Sequence, residues 1–393
     1  MAKALVLAAV LLAPLGASPA SGEVGDLYAL RYGAKMSLLV PYDPVRLVPS
    51  GRAIRMGRFA HAWSISPDRS RFVAAAGWHL TKGEPAALRF VDLETGRLAG
   101  TVSFPGEFRR VTATAWVRGR VLVVVSGSTS TTVYSVDPER RLTISQVEVP
   151  GLVVLGERTP SNLVLLLAPP DRIGSATIAV VDRSPRVRTA LLDRIAAGST
   201  ATGLGENHRL TIRRPALALS PSRQRAFVIG AGASAASVDL RTLAVRYAPT
   251  RQAATATKQV GGWVRTAATL PDGRLVVTGV DYGRQAGVGL WLIDPVDWSR
   301  RLLDSTASWF RVAGGLIFAR GERAGLRILR PSGAVVELFR SGSVASVSVI
   351  EPRAFVTFFG KQKAAVVELG TGRVVRHPVP AHLLTGAGEP IVG

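Results

Sequence analysis

The chain has five histidines, His61, His79, His208, His377 and His382, and no cysteine. The missing cysteines exclude thiolate metal sites, thiol nucleophiles and disulfides. His377 and His382 stand five apart, a spacing that zinc sites use, but no further ligand lies near in sequence to complete a tetrahedron. The hydroxyl-rich run at 128–132 is not set in the Gly-x-Ser-x-Gly elbow of a serine hydrolase. Glycines at 203–205 lack the preceding strand and following helix of a phosphate loop. No catalytic residue, metal ligand set or cofactor site is therefore expected.

Charge is the more informative chemistry. The formal net charge is +22, and 43 of the 49 basic residues are arginine. Arginines recur just before or at the start of a class of Ala/Ser/Thr-rich strands: Arg58, Arg110, Arg214, Arg265 and Arg311. Guanidinium forks suit carboxylate and phosphate, so such a set would bind an anionic ligand. His61 joins the candidates because it sits at the start of one of these strands, with Trp63 two residues on and so on the same face.

The elements that would carry these residues repeat along the chain. One unit is a strand ending in an acidic or turn residue, a short polar turn and a second strand. Its turn anchors are Asp43, Asp92, Asp137, Asp182, Asp239, Asp294, Arg330 and Glu368. The recurring aspartate is read as a turn former, whose carboxylate accepts backbone N–H groups just after it. Between these hairpins lies a second unit, for example 111–127 and 264–280, in which an Ala/Ser/Thr-rich strand precedes one rich in Val and Leu. The first suits a crowded innermost position and the second a strand buried on both faces. Helical periodicity never persists, and the repeat interval scatters around the ~40–50 residues of a propeller blade. The expected fold is all-β, a single β-propeller of seven or eight four-stranded antiparallel blades. Seven are complete in sequence. An eighth would be split between the termini, with the tail at 381–392 supplying the strand missing from the segment 27–56. Residues 195–214 are read as an inserted loop.

The first twenty residues have one lysine, Lys3, an apolar run of about a dozen residues and small residues ending at Ala20. That is the layout of a signal peptide, too short for a spanning helix. The expected mature domain is 21–393, exported to the periplasm, the envelope or the medium, with no transmembrane segment. Its charge becomes +21 on losing Lys3. Export and an aromatic content of 6% argue against nucleic acid. An anionic envelope ligand or a protein is the expected partner.

The strand-turn-strand copies, above all VDLETGRLAGTV at 91–102 with SPDRSRFV before it, resemble the YVTN and WD40-like repeats of bacterial β-propellers. The resemblance covers nearly all of the mature chain and implies the fold. What it implies for activity is divided: the group includes binding proteins, lactonases and quinone-dependent dehydrogenase subunits. A Trp-Asp blade closure, an Asp box and the tryptophan repeats of quinone-binding propellers are not found. The reading is therefore a non-catalytic binding scaffold, with an enzyme of the lactonase-like or quinone-dependent kind as the alternative.

Overall fold

The computed structural model describes residues 9–11, 27–31, 36–43, 48–57, 60–76, 85–106, 109–170, 172–202, 209–230, 234–248, 263–281, 286–321, 325–338, 344–350, 352–358, 363–378 and 391–392. Every regular element among them is a β-strand, and the strands form the sheets of a β-propeller, antiparallel but for one pair. Two compact units divide the chain.

The first unit spans 1–125, 134–144 and 337–389. It holds sheet A (Ala9–Leu11, Leu27–Arg31, Ser37–Tyr42, Ile54–Gly57) and sheet B (Ala60–Ile65, Arg71–Ala76, Ala86–Asp92, Arg97–Phe104). It also holds most of sheet C (Arg110–Val117, Arg120–Ser126, Thr131–Asp137, Leu142–Val149) and sheet H (Val344–Ile350, Arg353–Phe358, Lys363–Glu368, Val374–Pro378). Strands run in chain order across each sheet. In sheet C the second strand is buried along Val121–Val125, whereas the fourth is mostly exposed and is the outer edge. Val73, Phe90 and Phe104 of sheet B pack on Trp116, Val123 and Tyr134 of sheet C, with the Phe104 and Tyr134 rings 4.7 Å apart. Each such aromatic contributes about 2–3 kcal/mol by leaving water.

The second unit spans 126–133, 145–336 and 390–393. Sheet E (Ala216–Leu219, Arg225–Ile229, Ala235–Asp239, Val245–Tyr247) and sheet F (Ala307–Ala313, Leu316–Gly321, Leu326–Leu329, Val335–Leu338) again have four strands. Sheet D has eleven. Its first run is Leu152–Arg158, Asn162–Ala168, Gly174–Asp182 and Val187–Thr202; its second is Trp263–Thr269, Leu275–Asp281, Leu290–Ile293 and Arg300–Asp304. The first strands Leu152–Arg158, Ala216–Leu219, Trp263–Thr269 and Ala307–Ala313 pack one beside the next. Apolar layers fill the joints, Leu217, Val228 and Val238 against Val164, Leu166 and Ile178, and Phe310 and Ile317 against Val276 and Leu292.

Two expectations need correction. Residues 195–202 and 209–214 are strand where a loop was expected: Val187–Thr202 runs on past its blade and pairs with Arg209–Arg214, which then pairs in parallel with Trp263–Val264. Gly198, at φ 115°, allows the turn-off, since a Cβ there would stand 2.2 Å from the Arg172 carbonyl oxygen. The C-terminal tail also behaves differently. Ile391 and Val392 pair with Gly156 and Leu155, while sheet A takes its fourth strand from Ala9–Leu11.

Turn chemistry follows the reading of the recurring aspartates. Asp92 accepts from the N–H and Oγ of Thr95 at 2.7 and 2.9 Å, and Asp239 from the N–H groups of Arg241 and Thr242 at 3.0 and 2.7 Å. Asp137, Asp182 and Asp294 do the same for residues two to four further on. The Thr95 N–H, then its hydroxyl, holds the Asp92 carboxyl below its ordinary range.

Candidate functional site

The sequence-predicted residues that the structure describes fall in both units. Arg58 lies outside the described residues. His61 is on Ala60–Ile65, its backbone opposite Ala75. Arg110 opens the first strand of sheet C and is exposed. Arg214 ends the added strand of sheet D, opposite Val264, and is half-buried. Arg265 and Arg311 belong to the second unit, on first strands that pack side by side.

Those two do not share a pocket wall. Arg265 alternates with Ala267 onto the face that meets sheet E, and its Cδ lies over Gly279, where a Cβ would come within 2.9 Å. Burial first, and then the nearby Arg300 guanidinium, lowers its pKa. Arg300 in turn stacks over Trp291, 5.2 Å from the ring centre. Arg311 alternates with Phe310 and Val312, which pack on sheet D, so Arg311 is turned to the opposite face of sheet F.

Around Arg311 a small cationic and aromatic surface is assembled by strand parity alone. Trp309 lies two residues before it on the same face, and the cross-strand partners are Arg320 opposite Trp309 and Phe318 opposite Arg311. The Arg320 guanidinium sits 5.7 Å from the Trp309 ring centre. Burial lowers the Arg320 pKa and pushes Arg311 down to about 10. Burial is the cause of both shifts, and guanidinium groups such as these stay protonated at neutral pH. A half-buried cation of this kind attracts a carboxylate or phosphate.

A second polar cluster sits at the joint between the first run of sheet D and sheet E. Glu157 is on the face shared with Leu155, and its Oε2 lies 3.9 Å from Nη1 of Arg223 in the first turn of sheet E. Burial raises its pKa to about 7 against the opposing effects of Arg223 and Arg158. Sequence reasoning named Arg311 but not Trp309 or Arg320 beside it, and it missed the Glu157 cluster. The signals were present as Trp309 and Arg311 spaced for one face, and as the Glu157–Arg158 pair that ends the otherwise apolar LVVLGER of 152–158.

No protein-family model matches the chain, and no curated protein matches it. The solved structures do give likenesses. Apo AztD from Citrobacter koseri superposes with a TM-score of 0.58 at 13% identity, covering 92% of this chain and 96% of that one. The dihydro-heme d1 dehydrogenase NirN, in complex with DHE, superposes with a TM-score of 0.59 at 12% identity, covering 96% of this chain and 79% of that one. These likenesses show the fold. The chain is a β-propeller, the fold that its strand-turn-strand repeats led one to expect.

Proposed function

We propose that this chain is an exported, non-catalytic propeller of eight blades that binds an anionic ligand through its buried arginines. Arg311 carries the reading. It is a guanidinium held in protein, beside Trp309 and Arg320, with no hydrogen-bond or ion-pair partner among the described residues. Holding such a charge costs folding free energy, which an anion returns on binding. The two four-stranded runs of sheet D support eight blades over seven, with the paired strands 198–202 and 209–214 as a bridge between them. Export rests on the leader-like 1–20, which includes the Ala9–Leu11 strand of sheet A. Cleavage near Ala20 would leave that sheet three strands.

The test is calorimetric titration of residues 21–393 with citrate and pyrophosphate at low ionic strength. Saturable one-to-one binding that Arg311→Met abolishes is expected. Absence of small-anion binding, together with failure to be retained on heparin resin, would sink the proposal. Mass spectrometry of exported protein checks the leader.

A second reading, an enzyme of the lactonase-like or quinone-dependent kind, draws on Glu157. A carboxyl with a pKa of about 7 is poised for general acid–base work. Stoichiometric Ca²⁺ in metal analysis of the purified protein, with turnover lost in Glu157→Gln, would favour it.

A further inference from the structure

In sheets E and F the first strand ends the sheet, and no further strand adds to it among the described residues. Sheet D differs. Arg213 and Arg214 add to one of its first strands at Trp263 and Val264, and Ile391 and Val392 add to the other at Gly156 and Leu155. We propose that the free edge of Leu152–Arg158 is an acceptor site for a short extended peptide strand, which Ile391–Val392 occupies as a tethered, displaceable ligand.

A strand edge offers N–H and C=O groups that need partners, and an extended segment supplies them through its backbone. The length of this acceptor is limited at both ends. Val153 stands opposite Leu167 and Leu155 opposite Leu166, so Val154 is the extra residue of a bulge. An added strand therefore loses register beyond Leu155. In the other direction the antiparallel register would set Pro390 against Glu157, and proline has no N–H to give. What remains is a slot for two residues. It takes a segment in which proline opens the strand and two β-branched residues follow, Pro-Ile-Val in this chain.

The acceptor is stiff. Leu155 and Gly156 are buried, and Leu155 belongs to one apolar cluster with Val164, Leu166, Leu217 and Leu219. The opposite edge of the strand is paired with Asn162–Ala168 from Leu152 to Arg158. The ordering cost of binding therefore falls on the ligand. With only two residue pairs to hold it, the tail strand depends on its covalent connection through 379–390 to Val374–Pro378 of sheet H. A connection of this length supplies an effective concentration of the order of 1 mM, which a free peptide can match.

The probe is the hexapeptide Gly-Glu-Pro-Ile-Val-Gly, residues 388–393, and its control has proline in place of the isoleucine. Hydrogen exchange read by mass spectrometry on the full chain follows both strands. In wild type, probe at about 1 mM should speed exchange in the tail while 152–158 stays protected, because one strand replaces the other. The control should change nothing, since it lacks an N–H that the ladder uses. Ile391→Pro should expose 152–158 to exchange, and added probe should restore the protection. In fluorescence anisotropy the labelled probe should bind Ile391→Pro about tenfold more tightly than wild type, as no tethered strand competes. The unfolding midpoint checks that this variant is folded; if it is not, the wild-type competition decides alone. Equal affinity for the two proteins, or tail exchange that the probe leaves unchanged, overturns the proposal. A wild-type dimer in sedimentation that Ile391→Pro dissociates also overturns it, in favour of a tail held by a second copy of the chain.

Discussion

Arginine is used in two ways, and the contrast separates the perimeter of the sheets from their first strands. At the perimeter, arginines fasten neighbouring blades. Arg71 of sheet B pairs with Glu139 in a turn of sheet C at 2.6 Å. Arg188 of sheet D donates to the Arg241 and Leu240 carbonyls in a turn of sheet E at 2.6 and 3.0 Å. Arg301 donates to the Pro331 carbonyl in a turn of sheet F at 2.5 Å, and Arg327 of that sheet pairs with Asp304. On the first strands, Arg265 and Arg311 have pKa values pushed down by burial. One set holds together blades that lack disulfides; the other stores positive charge where water is scarce.

The sharpest way to break this contrast is to remove a perimeter partner. Burial works to raise the Asp304 pKa, yet the Thr306 N–H and hydroxyl and then Arg327 hold it below the ordinary range. Asp304→Ala should cost about 3 kcal/mol in urea denaturation, because it strands Arg327 and two donors at a nearly buried site. A cost below about 0.5 kcal/mol would make the pair ornamental.

Glu157 gives the next largest effect. Its folded pKa is raised to about 7 from 4.5, so its burial is tolerated best when protonated. The associated stability is present in full below pH 4.5 and is lost as pH rises through 7. The difference in unfolding free energy between Glu157→Gln and wild type should grow by about 2 kcal/mol between pH 4.5 and 8. A flat difference would mean that Arg223 and Arg158 fully compensate the charge. Arg311→Met comes third, stabilising the ligand-free protein by about 1 kcal/mol at neutral pH. Because the guanidinium pKa is depressed to about 10, the wild-type deficit should close only above that pH. Destabilisation by this variant would show that the charge has a partner after all.

The parts legible in the sequence were those decided locally. Asp92, Asp137, Asp182, Asp239 and Asp294 were readable as turn acceptors because the donors lie within four residues. The buried second strands were readable because Val121–Val125 and Leu163–Leu167 are continuous apolar runs. Parity likewise put Trp309 and Arg311 on one face. What could not be read is which sheet that face meets, since this is set by stacking between strands far apart in sequence. Glu157 becomes unusual only through Arg223, which another blade supplies. The pairing of Ile391–Val392 with Leu155–Gly156 rests on two residues, too few to carry a pattern. The pairing of 198–202 with 209–213 was hidden in part by Gly198, which reads as loop until its close approach to the Arg172 oxygen is known.

The smallest expected effects test whether perimeter arginines act through charge or through geometry. Arg188→Ala and Arg301→Ala each remove donations to backbone carbonyls and should cost about 0.5–1 kcal/mol. The two sites share no partner, so the double variant should show the sum. Arg71→Ala removes an ion pair whose carboxylate side is 74% exposed, so it should cost less, and that cost should fade between 0.05 and 1 M salt as the Debye length shrinks from more than 10 Å to about 3 Å. The carbonyl latches have no opposite charge to screen, and their cost should change little over the same range. If all three variants lose their effect in salt, the perimeter is held by field and not by hydrogen-bond geometry. The contrast with the first-strand arginines would then be one of solvent exposure alone.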